Sequence, residues 1–114
     1  MVEKKQVVVL TSQELGSGDE ELGKKLMESF IFTLRQADQL PETIILYNEG
    51  AKLSVADTKT AEDLKFLEEE GVKILVCGTC ADYYGIKDNM GAGEISNMAT
   101  IVETMQNATK LIRP

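Results

Sequence analysis

The chain has 114 residues, 43% hydrophobic and 27% charged, with a formal net charge of −7 and a sequence pI near 4.6. That length and composition describe one small globular domain with a real core, and they exclude a disordered chain. The acidic balance argues against nucleic acid and anionic surfaces, because a nucleic-acid binder needs a basic face to replace condensed counterions.

Gln6 to Thr11 is short, β-branched and continuously apolar, as a strand covered on both faces should be. A polar loop, Ser12 to Gly18, leads into a helix that runs to Ala37 or Asp38. Ser17 is its expected N-cap, with Glu20 completing a capping box. Leu22, Leu26, Phe30, Ile31, Leu34 and Ala37 form the expected inward face. Gly23 inside this helix implies a close approach to a neighbour.

Leu40-Pro41 breaks the helix, and Glu42 to Tyr47 reads as a second buried strand. It ends in the polar loop Asn48-Glu49-Gly50; Ala51 to Ala56 fits either a helical turn or extended chain. Thr60 is the expected cap of a second amphipathic helix, with Asp63 at the capping-box position, Leu64 and Leu67 facing in and Gly71 at its end. Val72 to Val76 is the third strand, and Cys77 to Cys80 the turn that leaves it.

Ala81 to Tyr84 forms a short helix ended by Gly85, and Met90 to Gly93 is a flexible connection or a poor strand. Ile95, Met98, Ile101, Val102 and Met105 make the inward stripe of a third long helix. Lys110 to Arg113 is a last strand. Residues 1–114 read as a single α/β domain with a parallel sheet between helices. Right-handed crossovers then place the βα loops, Ser12 to Gly18, Asn48 to Gly50 and Cys77 to Cys80, on one edge of the sheet around one crevice.

The low aromatic content, 5%, leaves aliphatic residues to fill the core, and the five Met read as flexible core filler. The Lys4-Lys5 and Lys24-Lys25 pairs are isolated; the acidic runs Asp19 to Glu21 and Glu68 to Glu70 read as solvated helix faces and ends. No segment approaches the ~18 continuous apolar residues of a membrane span. Met1 to Lys5 lacks the apolar stretch of a leader. The expected compartment is the cytoplasm, where two cysteines at CxxC spacing serve catalysis, redox exchange or metal binding more often than structure.

The only two cysteines, Cys77 and Cys80, frame Gly78 and Thr79 at a strand's C-terminal end. Four readings are open: sulfur transfer through a persulfide, dithiol exchange, half of a zinc site shared between chains, or two small inert residues. A helix start would supply N–H groups and a field that lowers a thiol pKa. Asp82 would oppose that if it faced the sulfurs, and Lys73 or Lys87 would support it. The chain has no histidine, which excludes Cys-His and Ser-His-Asp nucleophiles. Gly16-Ser17-Gly18 lacks the Lys-Ser/Thr ending of a phosphate loop and reads as a free loop before a capped helix.

Five separated segments carry a resemblance: Ile74 to Ile86 with its CGTC, Leu15 to Gly23, Leu40 to Ile44, Tyr47 to Leu53, and Gly93 to Met98. Together they resemble the DsrE/DsrF-like family, and within it the C-terminal domain of YedF-type sulfurtransferase-like proteins of selenium metabolism. The resemblance implies a three-layer α/β/α sandwich with a mostly parallel sheet of about five strands, and assembly into homotrimers or hexamers. It implies a cysteine persulfide that carries sulfur, or selenium, between a donor and an acceptor protein, with no cofactor and no metal. A TusA-like domain is one such partner; YedF-type proteins carry one at their N-terminus, so this chain is expected to be a stand-alone or excised version. The working cysteine of the family lies eight residues before a glycine, which matches Cys77 and Gly85. Cys80 would then assist, resolve the persulfide or accept sulfur itself. Gly78 and Thr79 would contribute backbone N–H groups to the sulfur, and Asn48 and Thr79 are placed in the pocket wall. A non-catalytic oligomeric scaffold and a CxxC redox protein are the alternatives.

Overall fold

The structure, a computed structural model, describes residues 5–114. Met1 to Lys4, on which the reading of the N-terminus and half of the Lys4-Lys5 pair fall, lie outside the described residues. Five strands run Gln6–Leu10 (β1), Thr43–Leu46 (β2), Lys73–Cys77 (β3), Glu94–Ser96 (β4) and Lys110–Ile112 (β5). Four helices run Glu20–Arg35 (α1), Lys59–Glu69 (α2), Gly78–Tyr83 (α3) and Met98–Gln106 (α4), and Asn48–Ser54 forms a 3-10 segment after β2. The sheet order is β4-β3-β2-β1-β5, and every neighbouring pair is parallel.

Alternation along each strand divides the core in two. Val8, Leu10, Ile44, Leu46, Ile74 and Val76 share one cluster with Met27 and Ile31 of α1, Leu64 and Leu67 of α2, and Ala81 of α3. Val7, Val9, Ile45, Leu75 and Cys77 point the other way, onto Ile101 of α4. The expected three-layer α/β/α sandwich is what the chain forms. Strands buried on both faces explain the unbroken apolar runs of β1, β2 and β3.

Several local expectations are corrected. Asp19, not Ser17, caps α1, accepting from the Leu22 N–H at 2.9 Å. The buried face of α1 is Gly23, Met27 and Ile31, with Leu22 and Leu26 exposed. The cause is the packing at Gly23: a Cβ there would lie 2.7 Å from Glu14 Cβ, and the Leu15 N–H donates to the Gly23 carbonyl at 3.0 Å. That contact turns the 23/27/31 row inward, and the helix ends at Arg35 rather than at Ala37 or Asp38.

Thr58, not Thr60, caps α2, accepting from the Ala61 N–H. The Thr60 hydroxyl instead donates to the Leu53 carbonyl at 2.8 Å. Asp63 is no capping residue. Its carboxylate is fully buried and pairs with Arg35 at 2.6 Å and Lys59 at 3.3 Å. The Arg35 guanidinium also lies 3.9 Å from the Phe66 ring centroid, so α1 is tied to α2 by charge and stacking together. Glu68, from the second acidic run, accepts from the Gly93 N–H at 3.2 Å and so holds the approach to β4.

The open segment after β2 is the 3-10 turn, and β4 takes Ile95 out of the expected third helix. Ile101 is the only buried residue of α4 and Met105 packs partly, whereas Met98 (54%) and Val102 (40%) are exposed. A single short helix on that side of the sheet has one narrow covered stripe.

Candidate functional site

Helix α3 starts directly at the end of β3, so Cys77 is both the last strand residue and the helix N-cap. The expected turn from Cys77 to Cys80 is absent; Gly78, Thr79 and Cys80 are the first turn of the helix. Gly78 permits this, because a Cβ there would meet Ser96 O at 3.0 Å and Ile95 Cγ2 at 3.2 Å on β4.

Strand parity sends Cys77 to the α4 face, where it is 3% exposed among Ile45, Leu75 and Ile101. Cys80 is half-buried and packs against both core clusters. Both are free thiols, and Cys80 packs against the buried cluster that contains Cys77. Thr79 is exposed beside them.

Asn48 joins the cysteines from the β2 edge. Its backbone N–H donates to Cys80 Sγ at 3.0 Å. Its own backbone is left-handed, with φ of 54°. Its side-chain Oδ1 accepts from the Tyr84 hydroxyl at 3.1 Å. Tyr84 caps α3, carries the Lys52 ammonium 4.4 Å from its ring centroid, and meets the exposed Tyr83 edge-on at 5.3 Å. The two βα connections expected at one crevice, at Asn48 and at Cys77 to Cys80, do meet. The third, Ser12 to Gly18, contacts α1 at Gly23, and its Leu15 packs on the same core cluster as Cys80. Asp19 there sets a carboxylate where a phosphate would dock, which removes the phosphate-loop reading.

Burial first, then the contact with Cys77, push the Cys80 thiol above its ordinary value, and the Asn48 N–H only partly opposes them. Tyr84 is raised as well, by burial and by Glu49. Asp82 is engaged with Lys87 at 2.9 Å, and Lys73 opens β3 at the far end of the strand. Among the described residues no group of three or more His, Cys, Asp or Glu stands close enough to hold a metal ion.

Sequence reasoning missed Tyr84 and the backbone role of Asn48. Two signals were present. Tyr84 follows Cys80 by four residues, one helical turn, and Asn in a strand-terminal Asn-Glu-Gly tolerates a left-handed backbone.

Solved structures of similar fold include the ychN protein from E. coli, at 16% identity and a TM-score of 0.75, covering 98% of this chain and 100% of that one. A protein of unknown function, MTH1491 from Methanobacterium thermoautotrophicum, matches at 19% identity and a TM-score of 0.69, over 98% of this chain and 100% of its own. BT1422 from Bacteroides thetaiotaomicron, also of unknown function, matches at 16% identity and 0.63, over 96% and 95%. At these identities the likeness concerns the fold. No curated protein matches the sequence. The DsrE/DsrF-like family model matches residues 16–114, a span that includes both cysteines, Asn48 and Tyr84, and the chain therefore belongs to the DsrE/DsrF-like family.

Proposed function

We propose that this protein carries sulfur, or selenium, as a cysteine persulfide between a donor and an acceptor, as a sulfurtransferase-like member of its family. The observation that carries the reading is the graded burial of the pair: half-buried Cys80, held by the Asn48 N–H, packs against the cluster that contains buried Cys77. The Cys80 thiolate attacks the terminal sulfur of a donor persulfide, R–S–SH. The donor S–S bond breaks, the donor leaves as a thiol with the Cys80 proton, and Cys80 becomes Cys80–S–SH. Cys77, as thiolate, then attacks that same terminal sulfur; the Cys80 S–S bond breaks, Cys77 becomes Cys77–S–SH, and Cys80 leaves as a thiol with the Cys77 proton. Sulfane sulfur moves twice with no net oxidation. Cys77, the family position, holds the cargo away from water, and Cys80 is the thiol that a donor reaches first.

The finer identity follows the resemblance: a YedF-type C-terminal domain over residues 1–114, acting in the cytoplasm with a TusA-like domain as partner. No described helix is long and apolar enough to cross a membrane. Exposed Met98 and Val102, one turn apart on α4, with exposed Ile95 nearby in the chain, support a homo-oligomer assembled through that face. The test of the reading is incubation with a persulfide donor followed by intact-mass spectrometry. One added sulfur, removable by a reducing thiol, is expected; an unchanged mass with several donors would overturn it.

Two free thiols packed in one cluster also favour a second reading, thiol–disulfide exchange, in which Cys80 attacks and Cys77 resolves. Ready formation of the Cys77–Cys80 disulfide with substrate disulfides, and no persulfide, would select it.

A further inference from the structure

We propose that Tyr84 is a positioning residue for the Cys80 sulfur, acting through Asn48. Three observations join. The Asn48 N–H donates to Cys80 Sγ at 3.0 Å. Asn48 makes that bond from a left-handed backbone, φ 54°, a conformation asparagine tolerates better than most non-glycine residues but does not hold without support. The Tyr84 hydroxyl, donating to Asn48 Oδ1 at 3.1 Å, is the side-chain contact that holds it there. Tyr84 is itself fixed by α3, one helical turn beyond Cys80. The sulfur and the clamp therefore share one rigid element, and Asn48 bridges back from the other connection.

The hydrogen bond matters most when the sulfur is charged, since a donor N–H stabilises a thiolate or persulfide anion far more than a neutral thiol. Burial and Cys77 push the Cys80 thiol up, and the Asn48 N–H pulls it down. Losing the clamp would remove that opposing pull. The surrounding ionisable groups are Cys77 on β3, Tyr83 and Tyr84 at the end of α3, and Glu49 and Lys52 on the 3-10 segment; Asp82 is paired with Lys87, and β4 presents Ile95 and Ser96.

The inference rests on the Cys80 role proposed above, and its test reads Cys80 without any sulfur donor. In a Cys77→Ser background, alkylation of the remaining thiol is followed against pH for the parent, Tyr84→Phe, Asn48→Ala and the double variant. Tyr84→Phe keeps the ring under Lys52 and removes only the hydroxyl. The expected result is a thiol profile displaced to higher pH and a rate at neutral pH lower by about 3- to 10-fold, since one unit of pKa is tenfold in thiolate. Asn48→Ala should behave likewise, and adding Tyr84→Phe to it should change nothing further. A Tyr84→Phe profile superimposed on the parent, or effects that simply add in the double variant, would overturn the proposal. Sulfur loading measured in parallel separates the two failures: a protein that takes no sulfur yet shows the displaced profile refutes the relay and leaves the clamp standing.

Discussion

The Asn48 backbone N–H meets Cys80 Sγ at 3.0 Å, joining two βα connections that lie 32 residues apart in the chain. Adjacent parallel strands β2 and β3 end side by side, Leu46 opposite Val76, so the residues just past them are brought together. This is the general reason that chemistry gathers at the carboxyl edge of such sheets. Here it supplies one donor to a sulfur that the chain, lacking histidine, gives no imidazole.

Because burial and Cys77 raise the Cys80 thiol, its alkylation should be slow at neutral pH and should accelerate only above the ordinary thiol range. The same shift has a stability consequence. A folded-state pKa above the unfolded value contributes stability that is complete below the unfolded value and is lost as pH rises through the folded one. Denaturant unfolding against pH should therefore show an alkaline decline that Cys80→Ala reduces. An equal decline in both proteins would remove Cys80 as its source.

Arg35→Ala should destabilise the fold by about 3 kcal/mol, because it leaves the fully buried Asp63 carboxylate without its closest partner. Asp63 Oδ2 already has no hydrogen-bond partner in the structure, so the remaining compensation is thin. Lys59→Ala, which removes a half-exposed ammonium from the same carboxylate, should cost less than about 1 kcal/mol. Urea unfolding of the two variants checks the order; equal losses would show that Arg35 and Lys59 compensate Asp63 equally.

Gly23→Ala should destabilise despite the better helix propensity of alanine. Propensity favours the change by about 1 kcal/mol, but the new methyl would lie 2.7 Å from Glu14 Cβ. Shifting the Glu14 backbone, tied next door by the Leu15–Gly23 bond, should cost more than that gain, for a net loss of about 1 kcal/mol. A higher melting temperature for Gly23→Ala would mean that the loop yields freely.

If the proposed homo-oligomer forms through α4, Met98→Glu with Val102→Glu should reduce it to a smaller species with the helix itself intact, since both side chains are exposed in the single chain. Sedimentation of parent and variant reads this directly. Identical masses would move the proposed interface away from α4.

Strands β1, β2 and β3 were legible because burial on both faces writes an unbroken apolar run into sequence. Strand β4 was not. It has three residues between a glycine and a helix cap, and its Ile95 also fits the helical spacing of Met98 and Val102. The caps were misplaced by two residues because each helix start offers two good capping residues, and distant packing chooses between them. Glu14 against Gly23 decides for α1, and the Thr60–Leu53 bond takes Thr60 away from α2. Asp63 carried a capping spacing but answers Arg35, 28 residues away. The cysteines were legible as a site from their spacing and place. Their different burial followed from strand parity and the immediate start of α3; the place of Tyr84 one turn after Cys80 was visible, but its bond to Asn48 spans 36 residues.

The central claim is that Cys80 receives sulfur and Cys77 holds it. The most direct measurement is peptide-level mass spectrometry after brief exposure to a persulfide donor, comparing wild type, Cys77→Ser and Cys80→Ser. The expected result is sulfur on Cys77 in the wild type, sulfur retained on Cys80 in Cys77→Ser, and loading slowed at least about tenfold in Cys80→Ser, because Cys77 is only 3% exposed. Full-rate loading of Cys77 in Cys80→Ser would contradict it.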